Sequence, residues 1–307
     1  MRVTERFGIT GPVDFLDVHV DKDNRLYVDP SAIRYAAKAG EPWATSAYRA
    51  LTDFFDEILR RLKNASRHLD GESMLTEFHE PRETRLGMSK FGYDGSGASR
   101  EIGERIWAAI KDNPLCLIEV PILKRVEHLP MFVDDLSNDR VSDLTSRIIF
   151  EKLVAFTLDQ ATKHPSITLG EPMEFQVWDT AAGVWSTKTY ALPDAGTARQ
   201  EPLLLVPKHV VFHSLRMSNR GYWSVPVLGA VQDSQTTIGG NGKPIAPSKE
   251  SLKDRDDLKD NIRETNQQWT EREWIQRRTN LLERYEEFVD GKFTPLDDDE
   301  ILNRLGL

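Results

Sequence analysis

Between Ser46 and about Leu69, Ala47, Leu51, Phe54, Phe55, Ile58, Leu59 and Leu62 recur at three- and four-residue steps, with Arg60, Arg61 and Lys63 largely opposite. That period predicts an amphipathic helix. The same spacing in Val141, Leu144, Ile148, Ile149, Leu153 and Phe156 predicts one helix of about twenty residues, ending near Lys163 and Pro165. Ser99 is placed as the N-cap of a helix running to about Lys111. In the C-terminal part, Ile262, Trp269, Trp274, Leu281, Tyr285 and Phe288 form an apolar stripe on an otherwise charged helical stretch, followed by a last short helix from Asp297 to Leu305.

Other segments read as strands. Phe15 to Val20 and Leu26 to Val28, joined by Asp21-Lys22-Asp23-Asn24, predict a hairpin. Met173 to Trp178 and Val184 to Tyr190 flank a turn at Ala182-Gly183. Leu203 to Val206 is apolar throughout and closed by Pro207, the pattern of a strand buried on both faces. Leu115 to Val120, around Cys116, is read the same way. Helices and strands are mixed rather than strictly alternating, so the expected class is α+β, a mixed α/β core with a C-terminal helical extension. The expected divisions are a core at 1–231, a Gly/Ser/Thr/Pro-rich linker or long loop at 232–251, and a charged, aromatic-striped tail at 252–307.

Composition narrows the function classes. The 49 acidic and 40 basic residues give a formal charge of −9, which argues against bulk non-specific nucleic-acid binding. A lone Cys116 excludes an intramolecular disulfide and a cysteine-cluster zinc site. No run approaches the length of a membrane span and the N-terminus lacks a signal-peptide pattern, so the expectation is a cytoplasmic protein without membrane partners.

The densest polar chemistry lies between Phe132 and Ile149. Asp134, Asp135, Asp139 and Asp143, two arginines and four hydroxyls run directly into an apolar helix. Ser137 is a natural N-cap, and carboxylates at a helix start gain roughly 0.3–1 kcal/mol each from the macrodipole. Asp143 can also pair with Arg147, four residues on. Against that structural account, Asp139 and Asp143 are like charges one turn apart, which a divalent cation or the Arg140 guanidinium would relieve.

A second polar cluster, Glu80-Pro81-Arg82-Glu83-Thr84-Arg85-Leu86-Gly87-Met88-Ser89, supplies further carboxylates and guanidinium groups. Shortly after it, Gly95, Ser96, Gly97 and Ser99 open a helix, where free N–H groups and bare backbone could receive an anion.

Several patterned chemistries are absent. The Asp21–Arg25 spacing lacks the glycine and glutamate of a calcium loop. His209 and His213 lie four apart without the zinc-protease glutamate. No Gly-x-Ser-x-Gly elbow occurs. Val206 stands where a nuclease of the Asp…Glu-x-Lys kind would want a carboxylate before Lys208.

Glu80 to Ser89, Asp139-Arg140-Val141-Ser142-Asp143-Leu144-Thr145 and Leu204-Leu205-Val206-Pro207-Lys208, with the Phe15–Pro30 segment, resemble a family of uncharacterised bacterial proteins. The resemblance covers roughly residues 10 to 225, leaves the C-terminal tail outside, and implies no particular activity. It groups the polar stretches as a related set.

Two functions fit these residues. The first is metal-dependent hydrolysis of a phosphodiester or nucleotide, with Glu83, Asp139 and Asp143 holding Mg²⁺ and Arg85 and Arg140 neutralising developing charge. The alternative is a non-catalytic binding or regulatory module, its polar clusters being ion-pair networks and its 252–290 helix docking a partner protein or a second copy of the chain.

Overall fold

The computed structural model describes residues 1–22, 24–87, 95–111, 113–117, 123–196 and 201–306, without the side chains of residues 95–99 and 114. Its helices of eight residues or more are α1 (Pro30–Lys38), α2 (Pro42–Leu62), α3 (His68–Thr76), α4 (Gly95–Lys111), α5 (Asn138–Ile148), α6 (Phe150–Lys163), α7 (Leu228–Gln235), α8 (Ile262–Arg277), α9 (Leu281–Asp290) and α10 (Asp298–Leu305). Three two-stranded antiparallel sheets accompany them among the described residues: β1 (Tyr27–Val28) with β4 (Val211–Phe212), β2 (Met173–Asp179) with β3 (Val184–Tyr190), and β5 (Thr237–Ile238) with β6 (Pro244–Ile245). The fold is α+β with a helical C-terminal region.

Local chemistry explains most boundaries. Pro42 pre-organises the first turn of α2, and Ala47, Leu51, Phe54, Phe55, Ile58 and Leu62 form its buried face. Asp29 caps α1 by accepting from the Ser31 backbone N–H at 2.8 Å. In α5, Ser137 is the N-cap and Val141, Leu144 and Ile148 are buried, as the sequence predicts. The single helix expected over 141–163 is instead two. It breaks at the fully buried Ile149, where the backbone turns to φ −90°, ψ 13°.

Three strand expectations are corrected. Phe15–Val20 and Leu26–Val28 do not form a hairpin. Tyr27–Val28 pairs with Phe212–Val211, and the earlier segment lies against Val206–Pro207 through the Leu16 N–H and a bridge at Phe15. The intervening turn is held by Asn24, 3 % exposed, whose side chain donates to the carbonyls of His19, Lys22 and Arg85. Cys116 lies in a short helix, Pro114–Leu117, rather than a strand. Its thiol is buried, which pushes its pKa up to about 12.

Leu203–Val206 is buried as expected, but it belongs to no ladder. The N–H groups of Leu203, Leu204 and Leu205 go to Pro193 O, Glu83 O and Thr157 Oγ1, while Val206 O receives the Leu16 N–H. Four separate elements satisfy a backbone that a sheet would have paired with one neighbour.

The apolar core is continuous from Val3 to Leu305. Leu281, Leu282, Tyr285 and Val289 of α9 are buried in it, while Trp269 and Trp274 of α8 are partly buried against it. The 232–251 stretch carries the end of α7 and the exposed β5–β6 hairpin. No helix among the described residues is long and apolar enough to cross a membrane.

Candidate functional site

The start of α5 and the Glu80–Gly87 segment meet beside β1. Ser142 Oγ accepts the Val28 backbone N–H at 2.9 Å, which fixes α5 against the strand. Asn24 pins the other wall by exchanging backbone hydrogen bonds with Arg85 and Gly87. Gly87 has φ +113°, and a Cβ there would lie 2.3 Å from Asp139 Oδ1. Only glycine lets the two walls close to that distance.

Asp143 is 6 % exposed, and no hydrogen bond or ion pair from a described residue reaches its carboxyl. Burial raises its pKa well above the usual carboxylate range; Asp139 and Glu80 push the same way, against weaker opposition from Arg140 and Arg147. The Tyr27 phenol is raised by burial and then by Asp139. Arg140 is half-buried, and the favourable charge it supplies to Asp143 is the largest that any group provides.

Arg147 and Glu83 do something different. The expected Asp143–Arg147 ion pair is replaced: Arg147, 2 % exposed, donates from Nε to His79 O at 2.6 Å and from its Nη groups to Glu80 O at 2.9 Å and Gln176 O at 3.2 Å. It also reaches Glu83 Oε2 at 3.4 Å and lies 4.7 Å from the Phe150 ring centre. One guanidinium thus satisfies two carbonyls at the start of the wall segment and one of β2, and Glu83 is its counter-ion. Arg85 pairs with Glu201 at 2.8 Å. Among the described residues, no three His, Cys, Asp or Glu side chains are grouped to hold a metal ion.

Gly92 to Asp94 lie outside the described residues, as do the side chains of Gly95, Ser96, Gly97 and Ser99 on which the anion cradle was expected. The helix itself begins at Gly95, so Ser99 is inside α4 rather than at its cap. His209 pairs with Glu41 at 3.0 Å, on a different element from the carboxylates.

A second buried cluster joins α9 to the core, and the sequence pattern gave no notice of it. Arg34 of α1, fully buried, places Nη1 3.1 Å from Glu286 Oε2 and 3.8 Å from Glu127 Oε1, and Nη2 2.7 Å from Asp290 Oδ1. Glu286 also pairs with Arg125 and lies 2.7 Å from His128 Nε2; Asp290 takes Lys38 at 2.9 Å. Neither oxygen of Glu127 has a hydrogen-bond partner among the described residues, and burial pushes its pKa up to about 7. Burial pulls His128 down to about 4. The signals available were Arg34, a lone cation among Ala32, Ile33 and Ala36 on the buried side of α1, and the charged run Lys124-Arg125-Val126-Glu127-His128.

Fold and site together define an α+β protein with a carboxylate-and-arginine site at a helix start. Residues 9–218 match a family described as a domain of unknown function (DUF8370), and the chain belongs to that family. No curated protein and no solved structure matches it. The family segment includes the whole Asp139–Asp143 site, whereas Glu286 and Asp290 come from beyond it.

Proposed function

We propose that the Asp139–Asp143 site binds a divalent cation, Mg²⁺ by preference, together with a phosphate ester, and that the protein hydrolyses a phosphodiester or nucleotide there. The observation that carries this reading is Asp143, a buried carboxyl that receives no hydrogen bond or ion pair from a described residue and whose pKa is raised by burial and by the charges of Asp139 and Glu80. An uncompensated buried charge costs several kcal/mol, and a hard cation offsets that cost with the oxygen ligands it prefers. Mg²⁺ commonly takes one or two carboxylates and completes its shell with water and substrate phosphate. Asp139 and Asp143 are sufficient for that arrangement, with Glu80 adding negative charge nearby. A bound cation would supply an activated water at neutral pH. Arg140 would neutralise charge on the phosphate, while Glu83 and Arg85 hold the wall through Arg147 and Glu201.

The non-catalytic reading has its own support in Arg147. Its bonds to three carbonyls and Glu83 form a closed structural network rather than an open set of ligands. Calorimetric titration of the full chain with Mg²⁺, with and without bis(p-nitrophenyl) phosphate, separates the two. The metal reading expects binding that Asp143→Asn removes while the variant stays folded, and diester cleavage that falls with it. Absence of Mg²⁺ binding to the wild type in both titrations would leave the network reading in possession.

A further inference from the structure

An open cavity of about 320 Å³ lies away from the carboxylate site, between the N-terminal segment and α10. Its walls are mainly Ile9, Val13, Phe15, Leu16, Ile301 and Leu302, and two cations, Arg2 and Lys208, stand at its edge. The volume falls within the range of small-ligand pockets, which pair an apolar body with a few polar groups.

The two cations are not equivalent. Arg2 pairs with Asp17 at 3.1 Å, and Asp17 is further fixed by the Thr4 N–H and hydroxyl at 2.8 and 2.6 Å. Lys208 Nζ lies 2.7 Å from Asp298 Oδ1 at the first residue of α10. The Asp298 side chain is 64 % exposed, and its hydrogen bonds among the described residues are the two from Lys208 Nζ, the second to Oδ2 at 3.1 Å. Exposed pairs of this kind contribute little stability, so a competing carboxylate can take the ammonium at small cost.

We infer that this cavity binds an amphipathic carboxylate of fatty-acid type, its chain among Phe15, Val13 and Ile301 and its head on Lys208 in place of Asp298. The walls from Ile9 to Asp17, with Lys208, belong to the family segment; Ile301 and Leu302 make α10 the cover. The site is independent of the reading given for Asp139 and Asp143.

Octanoate and octanol, titrated into the full chain by calorimetry, test the assignment. Octanoate should bind more tightly than octanol. Asp298→Asn, which removes the competitor, should strengthen octanoate binding severalfold, and Lys208→Gln should weaken it about tenfold, the effect of losing one charge-assisted hydrogen bond. Ile301→Trp, checked for folding by circular dichroism, should fill the cavity and abolish binding. Equal affinity for octanoate and octanol, no binding of either, an Asp298→Asn protein that binds no better, or retained binding in folded Ile301→Trp would each overturn the assignment.

Discussion

The α5 site and the α9 seam both bury carboxylates, and they differ in what surrounds them. At the seam, Glu286 and Asp290 share Arg34, Arg125, His128 and Lys38, every contact lying inside hydrogen-bond or ion-pair distance. At the site, burial, Asp139 and Glu80 all raise the Asp143 carboxyl, no described residue donates to it, and the buried Arg147 is committed to backbone carbonyls and Glu83. Burial of charge alone therefore does not mark a working site. The proposal for the α5 site rests instead on Asp143, to which no described residue donates, whereas Glu127 at the seam keeps Arg34 within ion-pair distance.

The largest expected effect tests the seam. Arg34→Met leaves Glu127, Glu286 and Asp290 without their shared cation and should cost about 3–5 kcal/mol in urea unfolding at pH 7, the range for breaking a buried ion pair. Adding Glu286→Gln should recover part of that loss. A cost under about 1 kcal/mol would show that the seam does not hold α9 in place.

Gly87→Ala tests the closure of the two walls at the site. Positive φ and the approach of Asp139 make the expected loss about 1–3 kcal/mol, with reduced ligand response at the site. A fully stable Gly87→Ala protein would mean that Asp139 can move aside freely.

Asp143→Asn should have the opposite sign. A carboxyl whose pKa is raised by folding contributes stability at low pH and loses it as pH rises through the folded value. The variant should therefore be more stable than wild type at pH 8, by about 1–3 kcal/mol, with the gap closing on acidification. A gap that widens toward acid would place Asp143 in a favourable ion pair and remove the contrast between site and seam.

Glu127 and His128 give the smallest and most diagnostic effect. Glu127, raised to about 7, loses its contribution as pH climbs from the ordinary carboxylate range through 7. His128, lowered to about 4, loses its contribution as pH falls from 6.5 through 4. The two slopes oppose each other where the windows overlap, so the joint contribution of this pair should be nearly flat from about pH 5 to 6.5. Glu127→Gln should uncover a loss on acidification in that range, read from thermal unfolding across pH. An unchanged profile would detach Glu127 from the seam's charge balance.

The legible parts of the molecule are those fixed by neighbours in sequence. The α5 cap at Ser137, the buried faces of α2 and α5, and the β2–β3 hairpin around Ala182-Gly183 follow from local periodicity and turn chemistry. The polarity of Glu80–Gly87 and Asp139–Asp143 likewise marks segments that pack together. What was not legible depends on distant partners. Leu203–Val206 reads as buried, yet its composition carries no sign that its partners are Leu16, Glu83, Thr157 and Pro193. Tyr27–Val28 pairs with a segment near residue 211, against the local preference for a hairpin with Phe15–Val20. The seam is assembled from charged residues of three separate segments, around 34–38, 125–128 and 286–290, so no single stretch shows that they meet.

The backbone of Leu203–Val206 also bears on how the chain reaches this state. Its hydrogen bonds close loops to four partners earlier in the chain, as far off as Leu16. A segment with such partners gains little until most of the chain is assembled, because loop closure must precede the contacts that reward it. Docking of this strip would then be a late event, tying the unfolding of the elements that bear its four partners to one another.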